Sequence, residues 1–109
     1  MYQSKISGLG YYVTENIVTN DDLSKIIDTN DEWITSRTGI KERRIIDTSK
    51  GENALTLALE SAQTAIAKAG VTNEEIDCVI VATASQTQPI PSMASIISNK
   101  LGITAPAFD

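Results

Sequence analysis

Residues 52–83, ENALTLALESAQTAIAKAGVTNEEIDCVIVAT, decide the fold that the sequence predicts. Within residues 52–69 the apolar side chains recur every three or four residues and form one helical stripe: Leu55, Ala58, Leu59, Ala62, Ala65, Ile66 and Ala69. We predict a helix over this segment, ended by Gly70. Residues 77–83 are apolar on both faces and rich in β-branched side chains, which predicts a strand buried between two layers. Helices that alternate with such strands predict an α/β domain with a layered sheet.

Two further helix starts precede this region. Thr19 is followed directly by polar and acidic residues, which predicts an N-cap with favourable charges in the first turn. Thr29 and Glu32 have the spacing of a capping box, so we predict a second short helix that begins there and ends at Gly39. Residues 41–46 then look like a strand with a charged side.

The two ends of the sequence both look like strands. Residues 5–13 alternate between apolar and small or polar side chains, which predicts a first strand. Ser92 opens a helix that Gly102 closes, and residues 106–109 look like the beginning of another strand. A chain that stops inside an element suggests a domain that has been cut, because domain boundaries normally fall in exposed linkers.

Composition restricts the classes of function. The 109 residues include 41% hydrophobic and 21% charged side chains, a globular balance. Fourteen acidic residues against nine basic ones leave a net charge of −5, which disfavours binding to nucleic acid or to an anionic membrane surface. With one cysteine and no histidine, the chain lacks the usual metal-ligand sets and the Ser/His and Cys/His nucleophile pairs. We expect a cytoplasmic protein, because the sequence shows neither a secretory signal nor an apolar stretch long enough to cross a bilayer.

Two local patterns have ordinary interpretations. Cys78 lies within the predicted buried strand, where a thiol acts as a small apolar filler of low reactivity. Lys41, Arg43 and Arg44 are interpreted as charged side chains on the solvated face of a strand.

Trp33 and Arg37 form a more specific pattern, because they are four residues apart on the same predicted helix. Residues with this spacing share one helical face, so the indole and the guanidinium project together. Such a pair can hold a flat heterocycle by stacking and by cation–π contact. The alternative is a core tryptophan with an incidental arginine beside it, and spacing alone favours this alternative.

Short segments spread along the chain carry a resemblance to a known family. They are TNDDL at 19–23, DTNDEWI at 28–34, RTGIKER at 37–43, VAT at 81–83, PS at 91–92, LGI at 101–103 and PAFD at 106–109. In this order they resemble the N-terminal region of β-ketoacyl-acyl-carrier-protein synthase III. The resemblance covers essentially the whole chain.

The resemblance implies a fold and an activity. The fold would be the N-terminal part of a thiolase-like enzyme, whose full form has α-β-α-β-α layers in two similar halves. Enzymes of the family move a short acyl group from coenzyme A onto a cysteine and condense it with malonyl-acyl carrier protein, which starts fatty acid synthesis. They act as homodimers, with the coenzyme A thioester as substrate and no permanently bound cofactor. The catalytic cysteine, histidine and asparagine of the family would lie beyond Asp109. Residues 1–109 would therefore be the N-terminal portion of the first half, cut before the nucleophile and inactive alone.

The resemblance also assigns roles to individual residues. Trp33 and Arg37 match a pair that holds the adenine ring of coenzyme A, and Thr29 matches a hydroxyl that contacts the base. With this match, binding is favoured over the core interpretation of Trp33. Ile90 lies where a number of relatives carry a phenylalanine that reaches across the dimer into the partner's acyl pocket. The alternative function is a non-catalytic binding or assembly module derived from the enzyme.

Overall fold

The computed structural model of the chain describes residues 3–109. These residues form two compact units. The small unit comprises Val13–Glu52, and the large unit comprises Asn53–Asp109 together with the described residues up to Tyr12. No helix within residues 3–109 is both long and apolar enough to span a bilayer.

The small unit is a two-stranded antiparallel ribbon with two short helices between its strands. Thr19 pairs with Glu42, and Ile17 pairs with Arg44. A single 3-10 turn at Thr48–Lys50 follows the ribbon. In chain order its elements are β1 (Ile17–Thr19), α1 (Asn20–Ser24), α2 (Asp31–Thr38) and β2 (Glu42–Arg44).

The helix ends of the small unit follow the sequence signals with one exception. Thr19 is the N-cap of α1, as predicted, and it also forms a capping box with Asp22. Gly39 ends α2 with a left-handed φ of 72°, which is also as predicted. The predicted cap at Thr29 is wrong by one residue. Asn30 is the N-cap of α2, and its side-chain oxygen accepts a hydrogen bond from the backbone N–H of Trp33 at 2.8 Å. Both residue types cap helices, and asparagine is the better of the two.

The large unit contains the long helix and a pair of parallel strands. Val79 pairs with Ala107 and Ile80 with Phe108 in the parallel register. Another 3-10 turn lies at Asn73–Glu75, and the Glu75 carboxylate accepts a hydrogen bond from the backbone N–H of Thr72 at 2.8 Å. The elements of this unit are α3 (Ala54–Ala69), β3 (Val79–Ile80), α4 (Met93–Leu101) and β4 (Ala107–Phe108). The mixture of helices and strands confirms the predicted α/β class.

The first predicted strand, over residues 5–13, does not form in the described part of the chain. Its glycines instead lie against the backbone of α3. A Cβ atom on Gly8 would meet the carbonyl oxygen of Ala65, and one on Gly10 would meet that of Ser61, both closer than van der Waals contact permits. These two glycines therefore allow the segment to approach the helix closely.

The second predicted strand, over residues 77–83, is shorter and less covered than expected. Only Val79–Ile80 is assigned as a strand, the side chain of Ile80 is 67% exposed, and Cys78 is exposed. The prediction of burial on both faces is wrong for the described residues, because Cys78, Ile80 and Ala82 on one face are exposed, while Val79 and Val81 on the other are half-buried. An apolar run cannot be buried on a face that no layer covers.

The buried apolar side chains of the large unit cluster on α4 and just after it: Met93, Ala94, Ile97 and Ile103. The Asp109 carboxylate accepts hydrogen bonds from the backbone N–H groups of Met93 and Ala94, at 2.8 and 2.7 Å. These contacts join the segment after β4 to the first turn of α4, where the helix dipole favours a negative charge.

The first prediction concerns the 109-residue chain in isolation. Large apolar side chains stay exposed along it, among them Ile6, Leu9, Tyr11, Ile80 and Ile90. Exposed apolar surface and a short exposed strand favour association. We expect light scattering at increasing concentration to show self-association, with binding of a hydrophobic dye. A monodisperse monomer that melts cooperatively at all concentrations would contradict this.

The second prediction separates the two possible caps of α2. Asn30→Ala removes the acceptor of the Trp33 N–H, which costs about 1 kcal/mol of helix stability. We expect the amides of α2 to exchange with solvent about fivefold faster in native-state hydrogen exchange. Thr29→Ala is the matched control and should change exchange by no more than about twofold. A larger effect of Thr29→Ala than of Asn30→Ala would restore Thr29 as the cap.

Candidate functional site

Helix α2 presents an aromatic ring and a cation together at the surface of the small unit. The Arg37 guanidinium carbon lies 4.8 Å from the centroid of the Trp33 ring, a cation–π contact. Trp33 is 53% exposed, and Arg37 is exposed as well. The prediction that the two groups project together is confirmed. The alternative of a core tryptophan does not hold, because the ring lies at the surface of its unit.

A cavity of about 290 Å³ lies beside the ring and is lined by Asp28, Thr29, Asn30 and Trp33. The structure thus brings two sequence-predicted site residues, Thr29 and Trp33, to one cavity. Its volume lies just below the usual range for small-molecule sites, about 300–1,000 Å³. It therefore suits one flat ring system with a few polar groups around it.

The Trp33–Arg37 distance limits how a flat ligand can stack. A ring inserted between two groups needs a van der Waals spacing of about 3.5 Å on each face, or about 7 Å in total. The observed 4.8 Å is shorter. In this arrangement the guanidinium itself occupies one face of the indole.

A buried carboxamide holds α2 in place. Asn20, at the start of α1, is 1% exposed. Its Nδ2 donates to Asp31 Oδ1 at 2.7 Å and to the Ile40 carbonyl at 2.8 Å, and Thr35 Oγ1 lies 3.4 Å from the same nitrogen. Its Oδ1 accepts from Arg43 Nη2 at 2.6 Å. We call this set of contacts the Asn20 network.

The Asn20 network also affects ionisation. The pKa of the Asp31 carboxyl group lies below its ordinary value, chiefly because the Asn20 amide donates to it and secondly because the Thr35 hydroxyl does. The carboxylate therefore stays ionised at neutral pH and remains an acceptor for both donors.

The basic residues that follow α2 have structural partners. Arg43 donates to the Val18 carbonyl at 3.2 Å as well as to Asn20, and Arg44 donates to the Thr14 carbonyl at 2.9 Å. The interpretation of a solvated side chain is wrong for Arg43, which is half-buried and bonded to Asn20 and Val18. It holds for Arg44, which is exposed although its guanidinium also donates to a carbonyl. Lys41 is exposed, as predicted.

The remaining candidates lie in the large unit. Ile90 is 85% exposed in the connection that precedes α4. Cys78 is exposed rather than buried, which corrects the sequence interpretation. Among residues 3–109, no group of acidic and cysteine side chains is arranged to hold a metal ion.

Sequence reasoning missed Asn20, because it stands next to a better cap signal at Thr19 and its partners are distant in the sequence. It also missed Asp28 and Asn30 as lining residues of the cavity. The only available signal for Asn20 was its position: it is a polar residue directly after Thr19, which already caps the helix.

Several known proteins are similar to this chain in sequence or in structure. No protein-family model matches the chain. The β-ketoacyl-[acyl-carrier-protein] synthase III of Clostridium novyi (strain NT) is 50% identical to it, over 100% of this chain and 33% of the relative. The crystal structure of 3-oxoacyl-[acyl-carrier-protein] synthase III from Aquifex aeolicus VF5 matches with a TM-score of 0.90 and 43% identity, over 96% of this chain and 33% of that one. The priming β-ketosynthase of the R1128 polyketide biosynthetic pathway matches with a TM-score of 0.87 and 31% identity, over 94% of this chain and 30% of that one.

These comparisons confirm the predicted fold class, which is that of thiolase-like condensing enzymes. The chain spans about a third of the length of the curated relatives it matches. Over its whole length it is homologous to β-ketoacyl-[acyl-carrier-protein] synthase III.

Proposed function

We propose that this chain is the N-terminal portion of a β-ketoacyl-acyl-carrier-protein synthase III, and that Thr29, Trp33 and Arg37 hold the adenine ring of coenzyme A. The complete protein, meaning the full gene product that contains this chain, would condense a short acyl-coenzyme A with malonyl-acyl carrier protein. The support is homology over the whole chain together with the geometry of α2.

The exposed Trp33 ring with the Arg37 guanidinium beside it carries this proposal. An indole face at the surface offers a stacking platform for a purine, and stacking on an aromatic side chain contributes about 1–3 kcal/mol per base. Thr29 lines the same cavity as the ring, and its hydroxyl is able to donate to or accept from a base nitrogen.

Because the Arg37 guanidinium already lies against the Trp33 ring, adenine would bind in one of two ways. The base either stacks on the indole face that Arg37 leaves open, or it takes the place of the guanidinium, which then turns towards a phosphate. The charges along α2 favour one direction for the phosphates. Asp31 and Glu32 lie in its first turn and Arg37 in its last, so the anionic part of the nucleotide would lie towards the C-terminal end of the helix.

Catalysis would depend on residues outside this chain. A cysteine nucleophile needs a neighbouring base or cation to form its thiolate, and the chain contains no histidine. Cys78 is exposed but has no imidazole partner within this chain. The family's cysteine, histidine and asparagine would follow after Asp109, and the 109 residues alone would not catalyse condensation.

The same proposal covers the partners of the complete protein. It would be a cytoplasmic homodimer with no permanent cofactor and no role in nucleic-acid or membrane binding. Ile90 would face the partner's acyl pocket. Its 85% exposure is compatible with a position that a second subunit covers.

The third prediction tests the adenine site. In the complete protein, Trp33→Ala should weaken coenzyme A binding in calorimetry by about 5–150-fold, the loss expected when one base–aromatic stack is removed. Trp33→Phe keeps an aromatic face and should retain most of the affinity.

The ligand control for this experiment is pantetheine, which lacks the adenine nucleotide. Its binding should be the same in Trp33→Ala and in the unaltered protein. Unchanged affinity of Trp33→Ala for coenzyme A would contradict the proposed site. Equal losses for coenzyme A and pantetheine would show that the substitution disturbs the protein in general.

A further inference from the structure

We propose that Asn20 is a positioning residue of the adenine site, which acts by holding α2 at both of its ends. This inference rests on the function proposed above. Asn20 itself is buried and does not line the cavity, so its effect on a nucleotide would be exerted through the helix.

The contacts of Asn20 lie at opposite ends of α2. Asp31 is the first residue of the helix, and Ile40 follows the glycine that ends it. Trp33 and Arg37 lie between these two points along the helix. One carboxamide group therefore fixes both the start of the helix and the turn after it.

Further contacts join this arrangement to the ribbon. The Asn20 side-chain oxygen accepts from Arg43 of β2, and the Asn20 backbone N–H donates to the Lys41 carbonyl at 3.1 Å. A single buried side chain therefore connects the helix to the two-stranded ribbon.

Apolar packing does little to hold the helix within its unit. Ile34 is the buried apolar side chain of the small unit among the described residues, at 9% exposure. A single side chain fixes one point of a helix and leaves it free to tilt about that point. Directional hydrogen bonds at both ends remove this freedom.

A small tilt would matter at the ring. An eight-residue helix is about 12 Å long, so a tilt of about 10° about its middle displaces each end by about 1 Å. Misplacement by about 1 Å of a group that must meet a ligand is costly. Loss of the Asn20 network would therefore displace Trp33 and Arg37, although those two residues are themselves unaltered.

Only a carboxamide supplies this set of contacts. Its nitrogen donates two hydrogens and its oxygen accepts, so it matches a carboxylate, a carbonyl and a guanidinium at once. Aspartate at this position would lose the donors and place a second carboxylate against Asp31. Alanine would leave Asp31 and Arg43 without their shared partner.

The experiment compares two substrates of the complete protein. We expect Asn20→Ala to raise KM for acetyl-coenzyme A on the order of tenfold, while kcat and the KM for acetyl-pantetheine stay within about twofold. NMR titration should show that the pKa of Asp31 rises towards its ordinary value in the same variant, because its main hydrogen-bond donor has been removed.

A milder pair of variants guards against a failure of Asn20→Ala to fold. Asp31→Ala removes the acceptor at the start of α2, and we expect it to raise KM selectively for acetyl-coenzyme A. Asp31→Asn also removes the charge but keeps an oxygen for Asn20, so it should restore most of the affinity.

The outcomes separate this inference from the proposed function. If Trp33→Ala impairs use of acetyl-coenzyme A and the Asn20 and Asp31 variants do not, the positioning role is wrong and the adenine site stands. If the Asn20 and Asp31 variants impair both substrates equally, Asn20 serves general stability and the inference is overturned. If Trp33→Ala does not selectively impair use of acetyl-coenzyme A, the proposed adenine site is wrong, and the positioning role that rests on it is wrong as well.

Discussion

The candidate site depends on a buried carboxamide between a helix and a ribbon. Asn20 contacts the first residue of α2, the turn beyond its last residue and a guanidinium of β2. Because the small unit buries little apolar surface around this helix, directional hydrogen bonds determine its orientation. The Trp33 and Arg37 side chains are exposed on this helix and are therefore available for binding.

Local signals predicted the helices well and the strands poorly. Thr19 and Gly39 mark helix ends through contacts within a few residues of themselves, so a sequence window contains all the necessary information. A strand depends on distant partners. Residues 5–13 have the alternation of a strand, yet two glycines lie against α3 instead. Residues 77–83 have the apolarity of a central strand, yet the described chain supplies one neighbouring strand.

The candidate site was predictable where it depends on helical spacing. Trp33 and Arg37 are neighbours because they are four residues apart, and a helix brings such residues together wherever it lies. The cavity beside the ring was not predictable, because it depends on the path of the chain before α2. Asn20 was not predictable either. Its partners are up to 23 residues away, and nothing in the local sequence indicates that its side chain turns inward.

The most direct test of the central claim is to observe the nucleotide against the ring. Coenzyme A would be bound to the complete protein with isotope-labelled tryptophan, and NMR would detect nuclear Overhauser contacts from the adenine H2 and H8 protons. The account predicts contacts between these protons and the Trp33 indole, with upfield shifts of the adenine resonances. An adenine ring that contacts other residues and shows none to Trp33 would contradict it.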